Sequence, residues 1–415
     1  MSRNKTIVIS DVHLSNGPNK YSWFKDDSKL KGFLNETALR TDVKELVLLG
    51  DIFDVWLYPI NFMPWTAKQI IQHWNGADSV VSALKKCADN LPNVFYINGN
   101  HDMSVTATDL ALISPKIKFV TFAQYNAAHA NKVHLEHGNL LDMFNAPPDI
   151  LDEPIKGLPF GYFITRMVAT VENHDALWDY LAAKIKSHLD GLFFFPGLMQ
   201  HKMSQEIMPA SVASQRSIFG KLLEKFVDKV GKELVELIIK VLLEAMQVYH
   251  PAINESSTIL LPDGDTVTIG EVKQHYHPLL LNWYRKLGSL PDLYRSARAS
   301  TDLAWYADQL LQKGPANLVI MGHTHKSTSM SQSKGLYANS GCWITGKEST
   351  YVEVDLSASP QAVVKAYHPG TTPAMFLAKR APVMTSSSLP MTEETAWDEE
   401  PLPQFWQQPS EELTE

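Results

Sequence analysis

Glu45-Leu46-Val47-Leu48-Leu49-Gly50-Asp51-Ile52-Phe53-Asp54 sets a short apolar run directly before a glycine and two carboxylates. Such a run reads as a buried strand, and Gly50 permits a tight exit from it. The arrangement recurs along the chain. Residues 6–10 (TIVIS) precede Asp11-Val12-His13. Residues 94–97 (VFYI) precede Gly99-Asn100-His101-Asp102, and residues 317–321 (NLVIM) precede Gly322-His323-Thr324-His325. A fifth stretch, 132–137 (KVHLEH), alternates as a half-buried strand does and ends in His137-Gly138. Helical patterns at 65–74 and 77–90 lie between these runs. Strand–helix alternation predicts an α/β fold with each motif at a strand end, where sites in such sheets form. Two further strands are expected at 335–343 and 350–355.

Residues 141–310 differ in pattern and are expected to form a mainly helical insertion, splitting the α/β core into 1–140 and 311–380. The insertion begins in a Pro-rich loop and contains a helical stripe from about Ile218 to Gln247. There Phe219, Leu222, Leu223, Phe226, Val230, Leu234, Leu237, Ile238 and Val241 recur at helical spacing. Unbroken, that helix would reach about 45 Å, with Gly231 as a candidate kink. A hairpin is expected over TILLPDGDTVTI, turning at Pro262-Asp263-Gly264-Asp265. Residues 381–415 are Ser-, Pro- and Glu-rich and are expected to be a disordered acidic tail.

The chain has 415 residues and a formal charge of −8. Glu393, Glu394, Asp398, Glu399, Glu400, Glu411, Glu412 and Glu415 in the tail account for all of it, leaving a neutral body. Without a broad basic face, tight nonspecific nucleic-acid binding is disfavoured, and with it a nuclease. Two cysteines, Cys87 and Cys342, are too few for a disulfide framework or a thiolate metal site and suit a reducing cytosol. A strand beginning by Thr6 leaves no room for a signal peptide, and no run approaches a transmembrane length. The expectation is a cytoplasmic protein, with peripheral membrane contact left open.

The motifs supply the donors of a metal site. Asp and His are ordinary ligands for Mn, Fe or Zn. Asp11 and His13, like His323 and His325, are two residues apart, so each pair can point one way from a strand end. The Asp51 carboxylate has two oxygens and can bridge two ions, and Asn100 offers a neutral amide oxygen. The other ten of the fifteen histidines are read as ordinary core or surface residues. Among them His134 alternates away from His137. Cys342 is read as a small buried residue.

In order and spacing, these five blocks resemble the signature of the calcineurin-like metallophosphoesterases across residues 11–325, outside the insertion and tail. The resemblance implies a β-sandwich flanked by helices, a four-layer αββα arrangement, with two divalent metal ions, Mn foremost and Fe or Zn as alternatives. One ion would take Asp11, His13, Asp51 and His325; the other would take Asp51, Asn100, His137 and His323. His101 would face the scissile phosphate, with Asp54 holding its other ring nitrogen. Two divalent ions against Asp11, Asp51 and a bridging hydroxide leave a net positive site. The implied reaction is in-line attack of that hydroxide on an anionic phosphate ester, with His101 stabilising charge on the departing oxygen or protonating it.

Asp11-Val12-His13-Leu14, Gly50-Asp51-Ile52-Phe53-Asp54-Val55-Trp56 and Asn339-Ser340-Gly341-Cys342-Trp343 resemble the branch of UDP-2,3-diacylglucosamine diphosphatases. That branch cuts a pyrophosphate in a lipid-linked nucleotide beneath a helical cap. Leu192-Phe193-Phe194-Phe195-Pro196 and the apolar stripe would then be acyl contacts; the simpler reading packs the stripe into the insertion's own core. Two departures stand out: His101 occupies a position where the branch carries Arg, and the insertion is larger. Phosphomonoesterases and protein Ser/Thr phosphatases use paired Arg residues beside these blocks. No Arg occurs between Arg40 and Arg166, which argues for a phosphodiester or a different clamp; the motif resemblance adds a nucleotide- or lipid-linked pyrophosphate as a candidate substrate. Lys156, Arg166, Arg285 and Lys286 are candidate phosphate contacts from the cap. A non-catalytic, metal-binding scaffold acting through the insertion and tail is the alternative of another class.

Overall fold

The computed structural model describes residues 3–16, 22–25, 27–147, 155–171, 176–190, 213–332, 334–355, 361–369, 375–376 and 379–380. The Phe run at 192–195 and the tail from 381 lie outside the described residues. The chain is mixed α/β, with parallel and antiparallel strand pairs.

Two sheets carry the motifs. The first contains β1 (Lys5–Ile9), β2 (Val43–Leu49), β3 (Asn93–Ile97) and β4 (Ile117–Phe119), all parallel. The second contains β5 (Val133–Leu135), which runs parallel to β8 (Leu318–Met321), itself parallel to β10 (Gly335–Asn339). Between them in sequence lies the hairpin of β6 (Thr258–Leu260) and β7 (Thr266–Thr268), as its turn residues indicate. β9 (Thr328–Gln332) joins the second sheet antiparallel to β10. β11 (Thr350–Asp355) and β12 (Gln361–Ala366) extend the first sheet past β1 in antiparallel register. Met375–Phe376 (β13) and Lys379–Arg380 (β14) add an edge to each sheet.

Alternation along the strands sorts their side chains between two cores. Val8, Val47, Leu49 and Ile97 of the first sheet pack with Leu135, Leu318, Ile320 and Ala338 of the second, so the sheets lie face to face. Ile7, Ile9, Leu46 and Leu48 point the other way, onto helices α1 (Ser28–Leu39), α2 (Ala67–His73) and α3 (Val80–Asn90). Two short helices, α4 (Ala107–Ala111) and α5 (Phe122–Ala128), flank β4.

The expected insertion is mainly helical: α6 (Phe160–Val168), α7 (176–190), α8 (Ala213–Tyr249), α9 (Ile269–Tyr276), α10 (Leu279–Leu287) and α11 (Leu290–Ser296). α12 (Ala304–Lys313) then covers the outer face of the second sheet through Ala307 and Leu311 against Val319 and Met321. α8 runs 37 residues, about 55 Å. Gly231 does not interrupt it. A Cβ there would sit 2.7 Å from the Cβ of Leu280, so the glycine instead permits close approach of α10. The α8 stripe, in the part whose side chains are described, faces this core: Val230, Leu234, Ile238 and Val241 pack with residues of α6, α9 and α10. The acyl-contact reading of those positions is therefore corrected to core packing. Among the described residues no helix is long and apolar enough to cross a membrane.

Arg166 of α6 ties the helical segment to the loop after the Gly50–Asp54 motif. It is fully buried. Nε donates to Tyr58 O (2.7 Å), Nη1 to Leu260 O and Tyr162 Oη (both 2.6 Å), and Nη2 to Pro59 O (2.8 Å) and Phe62 O (2.6 Å). Its donors are occupied by carbonyls and a phenol, so it offers nothing to a phosphate. Arg166→Met keeps the bulk but strands several buried carbonyls. It should cost about 3 kcal/mol or more, seen as a lower denaturation midpoint. A loss under about 1 kcal/mol would argue that water replaces the guanidinium.

Candidate metal centre

The strands end before the motifs, and the motif backbones continue side by side. Asp11 N–H donates to Gly50 O (3.1 Å), Val12 and His13 N–H both reach Asp51 O (2.8 and 2.9 Å), and Leu14 N–H reaches Ile52 O (2.9 Å). Asp11, His13, Asp51, His323 and His325 all adopt left-handed backbone conformations, with φ of 53°, 58°, 53°, 70° and 55°. Non-glycine residues rarely do so, although Asp and His are among the more tolerant. This corrects the expectation of strand alternation: Asp11 and His13 are brought together by a tight left-handed exit. Likewise His137 lies beyond β5, which stops at Leu135.

Glycine brings the second and third motifs into contact. Gly50 has φ +79°, and a Cβ on it would lie 2.6 Å from Gly99 N. Asp51 Oδ1 then accepts from His101 N–H (2.8 Å). Asp102, buried behind, accepts from Gly99 N–H (2.7 Å), Ile52 N–H (2.8 Å) and the Tyr96 hydroxyl. The 339–343 block backs the last motif. Asn339 Nδ2 donates to Gly322 O (2.6 Å), Ser340 N–H to Met321 O (2.9 Å), and Trp343 N–H to Asp11 O (3.0 Å). Cys342 is buried there, and burial pushes its thiol up to about 11, the behaviour of an inert residue.

Three clusters result: Asp11, His13 and His325; His13, Asp51 and His101; and Asp51, His137 and His323. Nearly all of these groups are buried. Such buried His/Asp groups could hold metal ions. Hydrogen bonds on their outer sides decide which atoms face inward. Asp54 accepts from Trp56 and Leu57 N–H (both 2.9 Å), so it is an acceptor for His13 Nδ1 and His101 Nδ1 as well, each 3.0 Å away. His137 Nδ1–H donates to Leu49 O (2.9 Å). The Nε2 lone pairs of His13 and His137 are left pointing into the cluster.

Those inward atoms crowd one another. His137 Nε2 is 3.1 Å from Asp51 Oδ2 yet makes no hydrogen bond in this geometry. Nε2 of His13 and of His325 face each other at 3.0 Å. Asn100 Oδ1 is buried with no partner. Lone pairs at such distances need a positive charge between them, a proton or a cation. The donor set of carboxylate, imidazole and amide oxygen fits a hard or borderline divalent ion.

The titrations carry the same demand. Burial alone would lower the pKa of His137, but the Asp51 and Asp11 carboxylates raise it to about 10. Burial would raise the Asp54 carboxyl, yet His101 and His13 bring it below its usual range. His101 is raised: burial opposes the charge, and Asp54 and Asp51 outweigh burial. His325 is pushed down to about 4 by burial, with His13 adding to the shift and Asp11 opposing it.

Reading the sequence alone missed two residues. Trp23 packs edge-on against His13 (4.8 Å between ring centroids) and His325 (5.6 Å) and lies 5.7 Å from His101, walling one side. Asp142 lies 2.9 Å from His323 Nε2. An aromatic just after the first motif and an acid just after the fourth were the only signals. His134 stays out of the cluster, paired with Glu136 (2.8 Å). It borders a cleft of about 380 Å³ with Tyr306 and Lys313 that shares no residue with the centre. Of the cap cations, Lys156 pairs with Asp263 and Asp265, Arg285 pairs with Glu224, and Lys286 lies over the Trp283 ring. The expectation that these residues, with Arg166, contact phosphate is thus corrected: Lys156, Arg285 and Lys286 are engaged within the helical segment, and Arg166 is engaged by carbonyls of residues 58–62 and 260 and by Tyr162. Compared with known proteins, the sequence matches no family model and no curated protein.

In the metal-free chain His137 is raised above its unfolded value of 6.5. Its contribution to stability is complete below 6.5 and is lost as pH rises towards about 10. A divalent ion must displace that proton. Calorimetric titration near neutral pH in buffers of different ionisation enthalpy should therefore show proton release, and affinity should rise with pH through this window. Buffer-independent heats would contradict the charged His137.

Proposed function

We propose that the protein is a metal-dependent hydrolase of phosphodiester or pyrophosphate bonds, built on a calcineurin-like metallophosphoesterase β-sandwich. The observation that carries this reading is the convergence of five sequence-separated motifs on one buried cluster of inward lone pairs, with His101 beside it. The face-to-face sheets with helices outside each are in keeping with the four-layer αββα arrangement. The proposed cofactors are two divalent ions, manganese foremost, one on Asp11, His13, Asp51 and His325 and the other on Asp51, Asn100, His137 and His323. When bound, such ions polarise phosphoryl oxygens and lower the pKa of coordinated water.

The chain's own residues supply the rest. Asp54 receives Nδ1–H of both His13 and His101, fixing one ring as a ligand and the other as a proton carrier. The raised pKa of His101 suits a group that keeps its proton until a leaving oxygen needs it. Trp56, 4.6 Å from the His101 ring, and Trp23 limit water around that proton. The preference for a diester or pyrophosphate rests on charge. A dianionic monoester calls for fixed guanidinium partners, and the cap cations are engaged elsewhere. Val230, Leu234, Ile238 and Val241 of the α8 stripe are buried in the core of the helical segment, so those positions give a lipid-linked substrate no acyl contact.

The test is a panel with Mn(II): a phosphomonoester, a phosphodiester and a UDP-linked pyrophosphate, each with wild type and Asp51→Ala. Hydrolysis that depends on Asp51 and is fastest for the diester or pyrophosphate is expected. Dominant monoester turnover would overturn the substrate preference, and no Asp51-dependent turnover would leave the metal-binding scaffold. His101→Ala should retain its metal content and lose roughly 10²–10⁴-fold in kcat. Unchanged kcat would remove its proton role.

A further inference from the structure

Asp142 stands outside the proposed ligand set, yet it is fully buried and its two oxygens collect four donors. Oδ1 accepts from Phe144 N–H (2.9 Å). Oδ2 accepts from Asn145 Nδ2 (2.9 Å) and the Ser300 hydroxyl, and lies 2.9 Å from His323 Nε2. A carboxyl surrounded by donors is an ionised acceptor, so His323 presents Nε2–H to it and keeps its lone pair on Nδ1. That is the reverse of His13 and His137, which hold Nδ1–H outward and aim Nε2 inward.

The position of Asp142 in the chain matters as much as its chemistry. It lies one residue after the short turn of helix Asn139–Leu141 that follows His137-Gly138, where the chain departs for the helical segment. Ser300 lies where the segment returns, just before α12. Met143 N–H also reaches Ser296 O (3.4 Å), joining departure and return.

We propose that Asp142 is the positioning residue for His323, selecting its Nδ1 as the ligand atom, and that the Ser300 hydroxyl couples the helical cap to that ligand. This rests on the metal-centre reading above. Carboxylates in this relation to a ligating His typically change metal affinity 10–100-fold when altered.

Two measurements test it. In metal-free wild type with ¹⁵N-labelled histidine, His323 should show the Nε2–H tautomer; the Nδ1–H form would overturn the proposal without any variant. In calorimetric titration with Mn(II), Asp142→Asn should weaken one of two metal equivalents 10–100-fold and leave the other unchanged. Ser300→Ala, which removes a single hydroxyl and preserves the fold, should weaken the same equivalent by a smaller factor. Wild-type affinity for both equivalents in Asp142→Asn overturns the positioning role, and wild-type affinity in Ser300→Ala overturns the coupling to the cap. A wild-type protein that binds no divalent ion would instead remove the metal-centre reading, and this inference with it.

Discussion

Crowded lone pairs at the centre of the molecule impose the constraint on which the rest of the structure depends. Asp11 and Asp51 share a space with the inward nitrogens of His13, His137 and His325, and water reaches little of it. A protein interior does not tolerate such a gathering without positive charge. In the metal-free chain a proton on His137 supplies part of it. A divalent cation would supply more charge in less space, and His13 and His137 are already turned to offer their Nε2 lone pairs.

Holding these groups together takes unusual backbone. Asp11, His13, Asp51 and His325, and His323 beside them, occupy the left-handed region, and each such conformation costs of order 1 kcal/mol or more. The cost is offset by rigid surroundings. The motif loops remain hydrogen-bonded to one another past the strand ends, Asp102 receives the Gly99 and Ile52 amides, and Asn339 holds the Gly322 carbonyl. The two sheets present their motif-bearing strand ends to one point, so groups 312 residues apart, His13 and His325, meet at 3.0 Å.

How much of this the sequence discloses follows from the range of each interaction. Apolar runs before Asp11, Asp51, Gly99 and Gly322 are local signals, and the strands there lie within a residue or two of their expected bounds. The mixed α/β character is legible for the same reason. β9 and β12 were missed because Thr328–Gln332 is largely polar and Gln361–Ala366 is a short run with no motif beside it. Gly231 invited the reading of a kink because a glycine that relieves a contact with Leu280 looks, in one dimension, like a glycine that breaks a helix. Arg166 appeared as a candidate phosphate contact because its carbonyl partners come from residues 58–62 and 260, distant in sequence. Trp23 and Asp142 carry no periodic signal, and their roles appear only when loops from both ends of the chain meet.

Buried Arg166 and Asp142 together explain how a long helical segment can be inserted without loosening the centre. Each is a charged group surrounded by neutral or complementary partners from both sides of the junction. Arg166 takes the carbonyls of the loop after Asp54, and Asp142 takes donors from the departing turn, the returning segment and His323. Burying a charge makes its partners costly to remove one at a time, so neither junction tolerates the loss of a single partner well. The segment is thereby held in register with the two motif loops nearest to it. Of its described cations, Lys156, Arg285 and Lys286 are engaged by Asp263 and Asp265, by Glu224 and by the Trp283 ring.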